Sequence, residues 1–458
     1  MNFKKTKYIV EIKMIRIKSK VLLLIILLIA VNISISQDNK ISSLDAKKKE
    51  STVKKISKML KENYVFPETA EKMADYLKSQ LNSKAYDDIN EPKKFAEILT
   101  ADLQSISKDK HLGVNYNPDA AKRIKESEKN GPNPEQEKQE LQFLKNENFG
   151  FKKVELLGGN IGYVDFRSFA NAKYVKETVA SVMKFLSNTD AIIFDVRMNG
   201  GGDPACVQLI CSYVFGDKPV HLNDLYYRPA DQTEEYWTLR KVDGKKMPDV
   251  PLYILTSSRT FSGAEEFAYN LKNLKRATII GEATGGGAHP GSTLAVNNEF
   301  VIFLPTGRAI NPITNTNWEG TGVTPDIPVT SFKALETAHV MALKKLADGT
   351  KEDADRKFYS WLSESIEAAM NAPVIDDKVL QSYAGIYGDR KIIYDGGKLY
   401  YQRGKRQKME MTPMSENLFM FRDVDFFRLR IDKDAEGKVI SVTGLYDTGD
   451  SDNSPKTN

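Results

Sequence analysis

The 458-residue sequence has few residues that form covalent cross-links or bind metals, with only two cysteines and four histidines. Cys206 and Cys211 lie five positions apart in an expected helix, which places their Cα atoms roughly 8–9 Å apart, too far for a disulfide. We therefore expect two buried free thiols and not a disulfide scaffold. We also predict no metal site and no cofactor.

Long apolar segments are also scarce, and the run Val21–Val31 is short for a membrane span. It follows a basic segment that begins at Lys4, and it is followed by the small residues Ser34 and Ser36. This order is typical of a cleaved secretory signal peptide over residues 1–36. We expect an exported protein, periplasmic or extracellular. The alternative is an uncleaved signal anchor, and membrane contact is expected only through such a leader.

Excess positive charge is absent once this leader is set aside. The formal charge of the whole chain is +5, and it falls to about −1 without residues 1–36. The sequence therefore gives no indication of nucleic-acid binding. Because 41% of the residues are hydrophobic, the chain can bury a large core.

The pattern of apolar residues divides the rest of the chain into units. We predict an N-terminal helical domain over 37–116, a charged loop or flap over 117–149, an α/β core over 150–345, a linking helix over 346–376 and a C-terminal β domain over 377–458. In the core, apolar strands alternate with helices, which is typical of an α/β fold with a core sheet and covering helices.

Ser262 is the first candidate for catalysis. It follows the buried strand PLYILT and begins a helix, so free backbone N–H groups and the positive end of the helix dipole lie beside its hydroxyl. The alternative is a purely structural capping box formed with Glu265 three residues later. The serine alone does not decide between them.

A glycine-rich loop, Gly200–Gly202, follows the strand AIIFDV. Consecutive glycines allow close approach of the backbone to a ligand, so the loop could bind a phosphate or a carbonyl oxygen. The Walker lysine and serine are missing, which favours an oxyanion loop over a phosphate loop. A tight strand-to-helix turn is the structural alternative.

The four histidines are the candidates for a general base. We interpret His221 and His339 as surface or packing residues. His289 lies in a glycine-rich loop and is a second choice. His111 lies in a polar turn after the helical region, and the sequence pattern alone does not select it.

Several ordered motifs together resemble the tail-specific, or C-terminal processing, serine peptidases, and most closely the branch with the tricorn core and the interphotoreceptor retinoid-binding protein modules. The resemblance rests on the segments NYVFPE at 63–68, DVRMNGGG at 195–202, YILTSSRTFSGAEEFA at 253–268, IIGEATGGGAHPG at 279–291 and WEGTGVTPDI at 318–327. It implies a core like that of ClpP and crotonase.

The resemblance also implies roles for individual residues. Ser262 would be the nucleophile, His111 the general base, and Glu319 the acidic member of the site. The processing peptidases use a lysine as the base, but Gly287 stands at the matching position here. Those enzymes also carry a PDZ domain before the core, and the gap here cannot hold one. Lys110 replaces the tricorn serine that links histidine to glutamate. Glu319 would therefore pair with Lys110, approach His111 directly, or brace its loop.

For the oxyanion, the resemblance implies the N–H of Gly263 and a second donor, with Gly201 preferred and Gly200 possible. The expected activity is hydrolysis of peptides or unfolded proteins through an acyl-enzyme. Retinoid-binding relatives hold apolar ligands on the same architecture, so a non-catalytic binding module is the alternative. A weaker possibility is a scaffold whose β domain recruits a partner.

Overall fold

The computed structural model describes residues 44–422 and 424–457. The predicted leader therefore lies outside the described residues. Within the described part of the chain, no helix combines the length and the apolar content that a bilayer crossing needs.

The N-terminal region is helical, as expected, and contains α1 (Ala46–Asn63), α2 (Pro67–Asn82) and α3 (Pro92–Ser107). Pro67 and Pro92 occupy the first turns of α2 and α3, where the missing N–H of proline costs no hydrogen bond. The apolar faces of the helices pack on a small antiparallel sheet of β1 (Gly113–Tyr116), β10 (Phe300–Pro305) and β9 (Gly291–Ala295). The strand β10, with the sequence FVIFLP, therefore lies outside the central sheet.

The segment 117–149 was predicted as a charged loop or flap, and the structure shows that it is helical and not an irregular loop. It forms α4 (Pro118–Asn130) and α5 (Pro134–Asn146). Asn117 and Asn133 cap these helices through their side-chain oxygens, and a proline follows each cap. Only one residue of the two helices, Ala121, is buried, which explains why apolar periodicity did not reveal them.

The central sheet has the strand order β12-β8-β7-β4-β3-β2 and is parallel except for the antiparallel pair β2 and β3. Its strands are β2 (Phe151–Leu157), β3 (Ile161–Phe166), β4 (Ala191–Asp195), β7 (Leu252–Thr256), β8 (Thr278–Gly281) and β12 (Ile327–Pro328). One face is covered by α6 (Ala172–Phe185), α7 (Pro204–Tyr213) and α8 (Gly263–Asn273). The other face is covered by α9 (Ala334–Gly349) and α10 (Asp353–Met370). The α/β core is therefore confirmed.

A further antiparallel sheet joins β11 (Gly307–Ile310), β5 (His221–Tyr227) and β6 (Gln232–Trp237) beside this core. Cys206 and Cys211 are both buried and unpaired in α7, as expected.

The C-terminal unit has its own core and consists of a short helix and two antiparallel sheets. Its elements are α11 (Asp377–Tyr383), β13 (Gly385–Tyr387), β14 (Arg390–Asp395), β15 (Lys398–Arg403), β16 (Met409–Glu410), β17 (Thr412–Pro413), β18 (Leu418–Phe421), β19 (Val424–Lys433), β20 (Val439–Tyr446) and β21 (Ser451–Pro455). Turns at 395–397 and 434–437 connect β14 to β15 and β19 to β20.

Candidate active site

Ser262 lies between the carboxyl end of β7 and the first turn of α8, where it is the N-cap residue. Its backbone has φ +52° and ψ −124°, a conformation that a residue with a side chain adopts at a cost of roughly 1–3 kcal/mol. The preceding loop is tied to the neighbouring loop after β4, since the Phe261 N–H donates to the Asn199 carbonyl and the Thr260 hydroxyl donates to the Val196 carbonyl. These bonds hold Ser262 in its strained position.

Glu265 is the capping residue that the sequence predicted, and it does more than cap the helix. Its carboxylate accepts the N–H of Ser262 at 2.9 Å, as a capping box requires. It also accepts the N–H groups of Gly286 at 2.6 Å and Gly287 at 2.8 Å and the hydroxyl of Thr284 at 2.5 Å. One fully buried carboxyl therefore joins the serine turn to the glycine-rich loop after β8. Burial raises its pKa, while these hydrogen bonds act in the opposite direction.

The glycine loop lies directly against the serine turn. A Cβ placed on Gly201 would lie 2.6 Å from the Gly263 nitrogen and 2.8 Å from the Ser262 Cβ, so only glycine permits this approach. However, the Gly201 N–H donates to Asn199 Oδ1 at 2.8 Å. This hydrogen bond engages the Gly201 N–H and argues against the predicted role of Gly201 as an oxyanion donor. Its neighbours Gly200 and Gly202 line the cavity beside Ser262.

His111 reaches this cavity from the turn after α3. Asp109 holds the turn by accepting the His111 backbone N–H at 3.0 Å. The imidazole packs against Phe261, with ring centroids 4.5 Å apart, and stacks on Phe303 at 5.7 Å. Burial lowers the pKa of His111 to about 4, with a smaller opposing effect from the Asp109 charge. The imidazole is therefore neutral at neutral pH, as a proton acceptor must be.

Gly287 stands where the processing peptidases have their lysine, and the structure gives a physical reason for the glycine. A Cβ at this position would lie 2.6 Å from His111 Cε1 and closer still to the Phe261 ring. The histidine ring thus fills the space that a lysine stem would need.

Both candidate residues line one cavity of about 400 Å³. Its walls are mostly apolar and come from the sheet of β5 and β11, the glycine loops and α8. The lining residues are His111, Gly200, Gly202, Pro204, Leu225, Tyr227, Phe261, Ser262, Gly263, Glu266, Gly287, Ala288, Pro290, Gly291, Phe303, Ala309 and Trp318.

Of the three roles predicted for Glu319, the structure fits the last, in which its side chain braces a loop. Its Oε2 accepts the Ala288 N–H at 2.5 Å and lies 3.5 Å from His289 Nδ1. Lys110 instead donates to the Gly285 carbonyl at 2.5 Å. Burial raises the pKa of Glu319 to about 7. Glu319 Oε1 and His111 Nδ1 are both buried without a hydrogen-bond partner among the described residues, so no carboxylate orients the base directly.

His289, the second choice for the base, belongs to a separate buried network. Its Nδ1 lies 2.8 Å from Asp109 Oδ2, which also accepts the Tyr64 hydroxyl at 3.1 Å. Asp109, His289 and Glu319 each offer one ligand atom within 4.8 Å of the others, a spacing that a metal ion could share. Because Asp109 and His289 already contact each other at hydrogen-bond distance, we interpret the group as a network that supports the His111 turn.

The other two histidines contribute nothing to this cavity. His221 stacks on Trp237 with centroids 4.2 Å apart and contacts Asp224 Oδ1 at 2.6 Å. His339 Nε2 lies 2.8 Å from the Gly158 carbonyl oxygen on the far face of the sheet.

Two models of known protein families match this chain. Residues 160–329 match Peptidase family S41, and residues 35–152 match the N-terminal domain of peptidase S41 in eukaryotic IRBP. The chain therefore carries both domains of peptidase family S41, which confirms the resemblance drawn from the motifs. These matches support a serine peptidase.

Individual relatives are distant. The chain is 26% identical over 190 residues to the chloroplastic carboxyl-terminal-processing peptidase 2 of Arabidopsis thaliana, covering 40% of this chain and 35% of that protein. Among solved structures, the photosystem II D1 C-terminal processing protease is 22% identical with a TM-score of 0.32, covering 37% of this chain and 42% of that one. The tricorn protease is 13% identical with a TM-score of 0.37, covering 70% of this chain and 37% of that one. The chain thus spans about a third of the length of the curated relative.

Proposed function

We propose that this protein is an exported serine endopeptidase that hydrolyses peptides or unfolded proteins through an acyl-enzyme, with Ser262 as nucleophile and His111 as general base. One observation carries the proposal. A serine in a strained turn at a helix N-terminus and a neutral, half-buried histidine, 151 positions apart in the sequence, line the same cavity.

The reaction follows from this placement. The Ser262 hydroxyl oxygen attacks the scissile carbonyl carbon while the His111 imidazole takes the hydroxyl proton. The carbonyl oxygen becomes an oxyanion, which the Gly263 N–H stabilises at the positive end of α8. The C–N bond then breaks, His111 returns the proton to the leaving amine, and an acyl-enzyme remains. Water attacks this ester with His111 again as base, which releases the acid and restores the serine.

A second oxyanion donor comes from the glycine loop, and we assign it to Gly202. In support, its nitrogen lies 3.1 Å from where a Cβ on Gly263 would be, so the two residues are in close contact. The Gly201 N–H is engaged with Asn199 and serves to shape the loop. Loss of one such donor typically lowers turnover about 10²–10³-fold.

Export is the remaining part of the proposal, and it rests on the charge and apolar pattern of residues 1–36. We expect mature protein to begin near Gln37. Amino-terminal sequencing of protein recovered from the exported fraction tests this, and an intact Met1 would favour an uncleaved anchor.

Hydrolysis of an unfolded protein tests the enzymatic proposal. We expect the wild-type chain to cleave it and Ser262→Ala to lose the activity while it unfolds at an unchanged temperature. Ser258→Ala is the matched control, since Ser258 is an exposed serine in the same loop. Equal turnover by Ser262→Ala would refute the nucleophile, and a wild type without turnover would favour the binding module.

A further inference from the structure

One carboxyl in the cavity has no part in the steps described above. Glu266 lies in α8 one turn after Ser262, is only 4% exposed, and lines the cavity. Side chains on a helix point back toward its N-terminus, so the Glu266 carboxyl covers the turn that begins at the nucleophile.

Two buried amides lie beside this carboxyl. Asn223 and Asn270 are both fully buried, and both lie close enough to lower the pKa of Glu266. Neither amide makes a hydrogen bond of regular geometry to it. The Asn223 Nδ2 and Oδ1 atoms and the Asn270 Nδ2 atom have no hydrogen-bond partner among the described residues. The Asn270 Oδ1 accepts from Asn311 at 3.3 Å, which leaves its Nδ2 as the free donor.

Buried polar atoms without partners are costly, at roughly 1–3 kcal/mol each, and three of them beside a carboxyl that lines the cavity indicate a ligand. No lysine or arginine of the described chain is among the groups that perturb Glu266, and burial raises its pKa to about 8. A cation from outside the chain would supply the charge that this carboxyl lacks.

The chemistry of the cavity matches a long basic side chain. Leu225, Tyr227 and Trp318 line the same cavity as Glu266, and their apolar surfaces suit a methylene stem. At its polar end, the Glu266 carboxylate would accept from an ammonium or guanidinium group. The two amide nitrogens of Asn223 and Asn270 would then donate to the ionised carboxylate, so both nitrogens would gain a partner.

We infer that Glu266 is a specificity-determining residue, and that the cavity receives a lysine or arginine side chain next to the scissile bond. This inference rests on the proposed function, because it needs a peptide to be cleaved at Ser262.

The test begins with cleavage-site mapping. Wild-type protein digests a denatured protein, and mass spectrometry identifies the residues on both sides of each cut. We expect lysine and arginine to be enriched on one side. We then compare two synthetic peptides that differ only at the enriched position beside the scissile bond. One peptide has lysine at this position and the other has norleucine. Norleucine keeps an aliphatic stem without the charge.

For the wild type, we expect kcat/KM to favour lysine over norleucine by about 10- to 100-fold. Glu266→Gln keeps the shape of the side chain but not its charge. For this variant, we expect the ratio of kcat/KM for the lysine peptide to kcat/KM for the norleucine peptide to approach one. Glu336→Gln is the matched control, because Glu336 also has a buried unpartnered carboxyl oxygen but lies in α9, away from the cavity. We expect it to keep the wild-type ratio.

The outcomes distinguish a failure of the specificity inference from a failure of the proposed peptidase function. Cleavage without enrichment of basic residues, or a lysine preference that survives in Glu266→Gln, would overturn the inference and leave the peptidase intact. A wild type that cleaves nothing would instead refute the proposed function. If Glu266→Gln fails to fold, as thermal unfolding would reveal, the wild-type cleavage map alone still decides the inference.

Discussion

The imidazole of His111 lies with its centroid 4.5 Å from that of Phe261, the residue immediately before Ser262. This contact joins the N-terminal helical unit to the α/β core at the point where the chemistry is expected. His111 belongs to the N-terminal unit and Ser262 to the α/β core, so the site exists only when the two units pack together.

The ionisation of His111 is the first prediction. Burial lowers its pKa to about 4, so the folded protein keeps the imidazole neutral well below the ordinary value near 6.5. Since the unfolded chain takes up this proton first, His111 favours folding above pH 6.5, and that contribution is lost as the pH falls toward 4.

NMR of histidine-labelled protein measures this directly, with the His111 signal assigned by its loss in His111→Gln. We expect a titration midpoint near 4. A midpoint near 6.5 would mean that the ring is solvated and not buried against Phe261.

Gly287 gives the second prediction. In Gly287→Ala, the new methyl group would clash with His111 and Phe261, so the base must move away from the serine. We expect kcat/KM to fall by at least about 100-fold, since small displacements of catalytic groups have effects of this size. The matched control is Gly216→Ala, because a Cβ on Gly216 meets nothing within 4 Å. Equal activity of the two variants would show that the space beside His111 is not limiting.

Asp109 gives the third prediction, and it concerns stability. Its side chain is fully buried. It accepts hydrogen bonds from the Tyr64 hydroxyl and the His111 backbone N–H, and it lies at hydrogen-bond distance from the His289 ring. Replacement by alanine removes a buried charged partner, so we expect the free energy of unfolding to fall by about 3 kcal/mol.

Tyr64→Phe is the graded control for Asp109→Ala. It removes a single hydrogen bond from the same network, so we expect the free energy of unfolding to fall by about 1 kcal/mol. Urea unfolding of both variants provides the measurement. Equal losses in the two variants would contradict a central role of Asp109 in the network.

Much of the fold could be predicted from local patterns. The pattern of apolar residues located the N-terminal helical unit, and alternating strands and helices revealed the α/β core. The helices over 118–146 were missed because nearly all their side chains are solvated and leave no apolar stripe. Their start signals, Asn117-Pro118 and Asn133-Pro134, are in the sequence and could have identified them.

The site was less accessible to sequence reasoning. Ser262 had a local signal, but His111 could be selected only through the family resemblance, because 151 residues separate the two. The engagement of the Gly201 N–H depends on the Asn199 side chain, and no spacing rule encodes that hydrogen bond. The contact of Asp109 with His289 spans 180 residues, and the unpartnered amides near Glu266 come from different elements, so only the folded chain reveals them.

The central claim is that His111 activates Ser262 for nucleophilic attack, and labelling with a fluorophosphonate tests it most directly. The folded wild-type protein and its Ser258→Ala variant should each gain one adduct, mapped by mass spectrometry to Ser262. Ser262→Ala should gain none, and His111→Ala should react at least about 100-fold more slowly. No adduct on the folded wild type, or undiminished labelling in His111→Ala, would contradict the account.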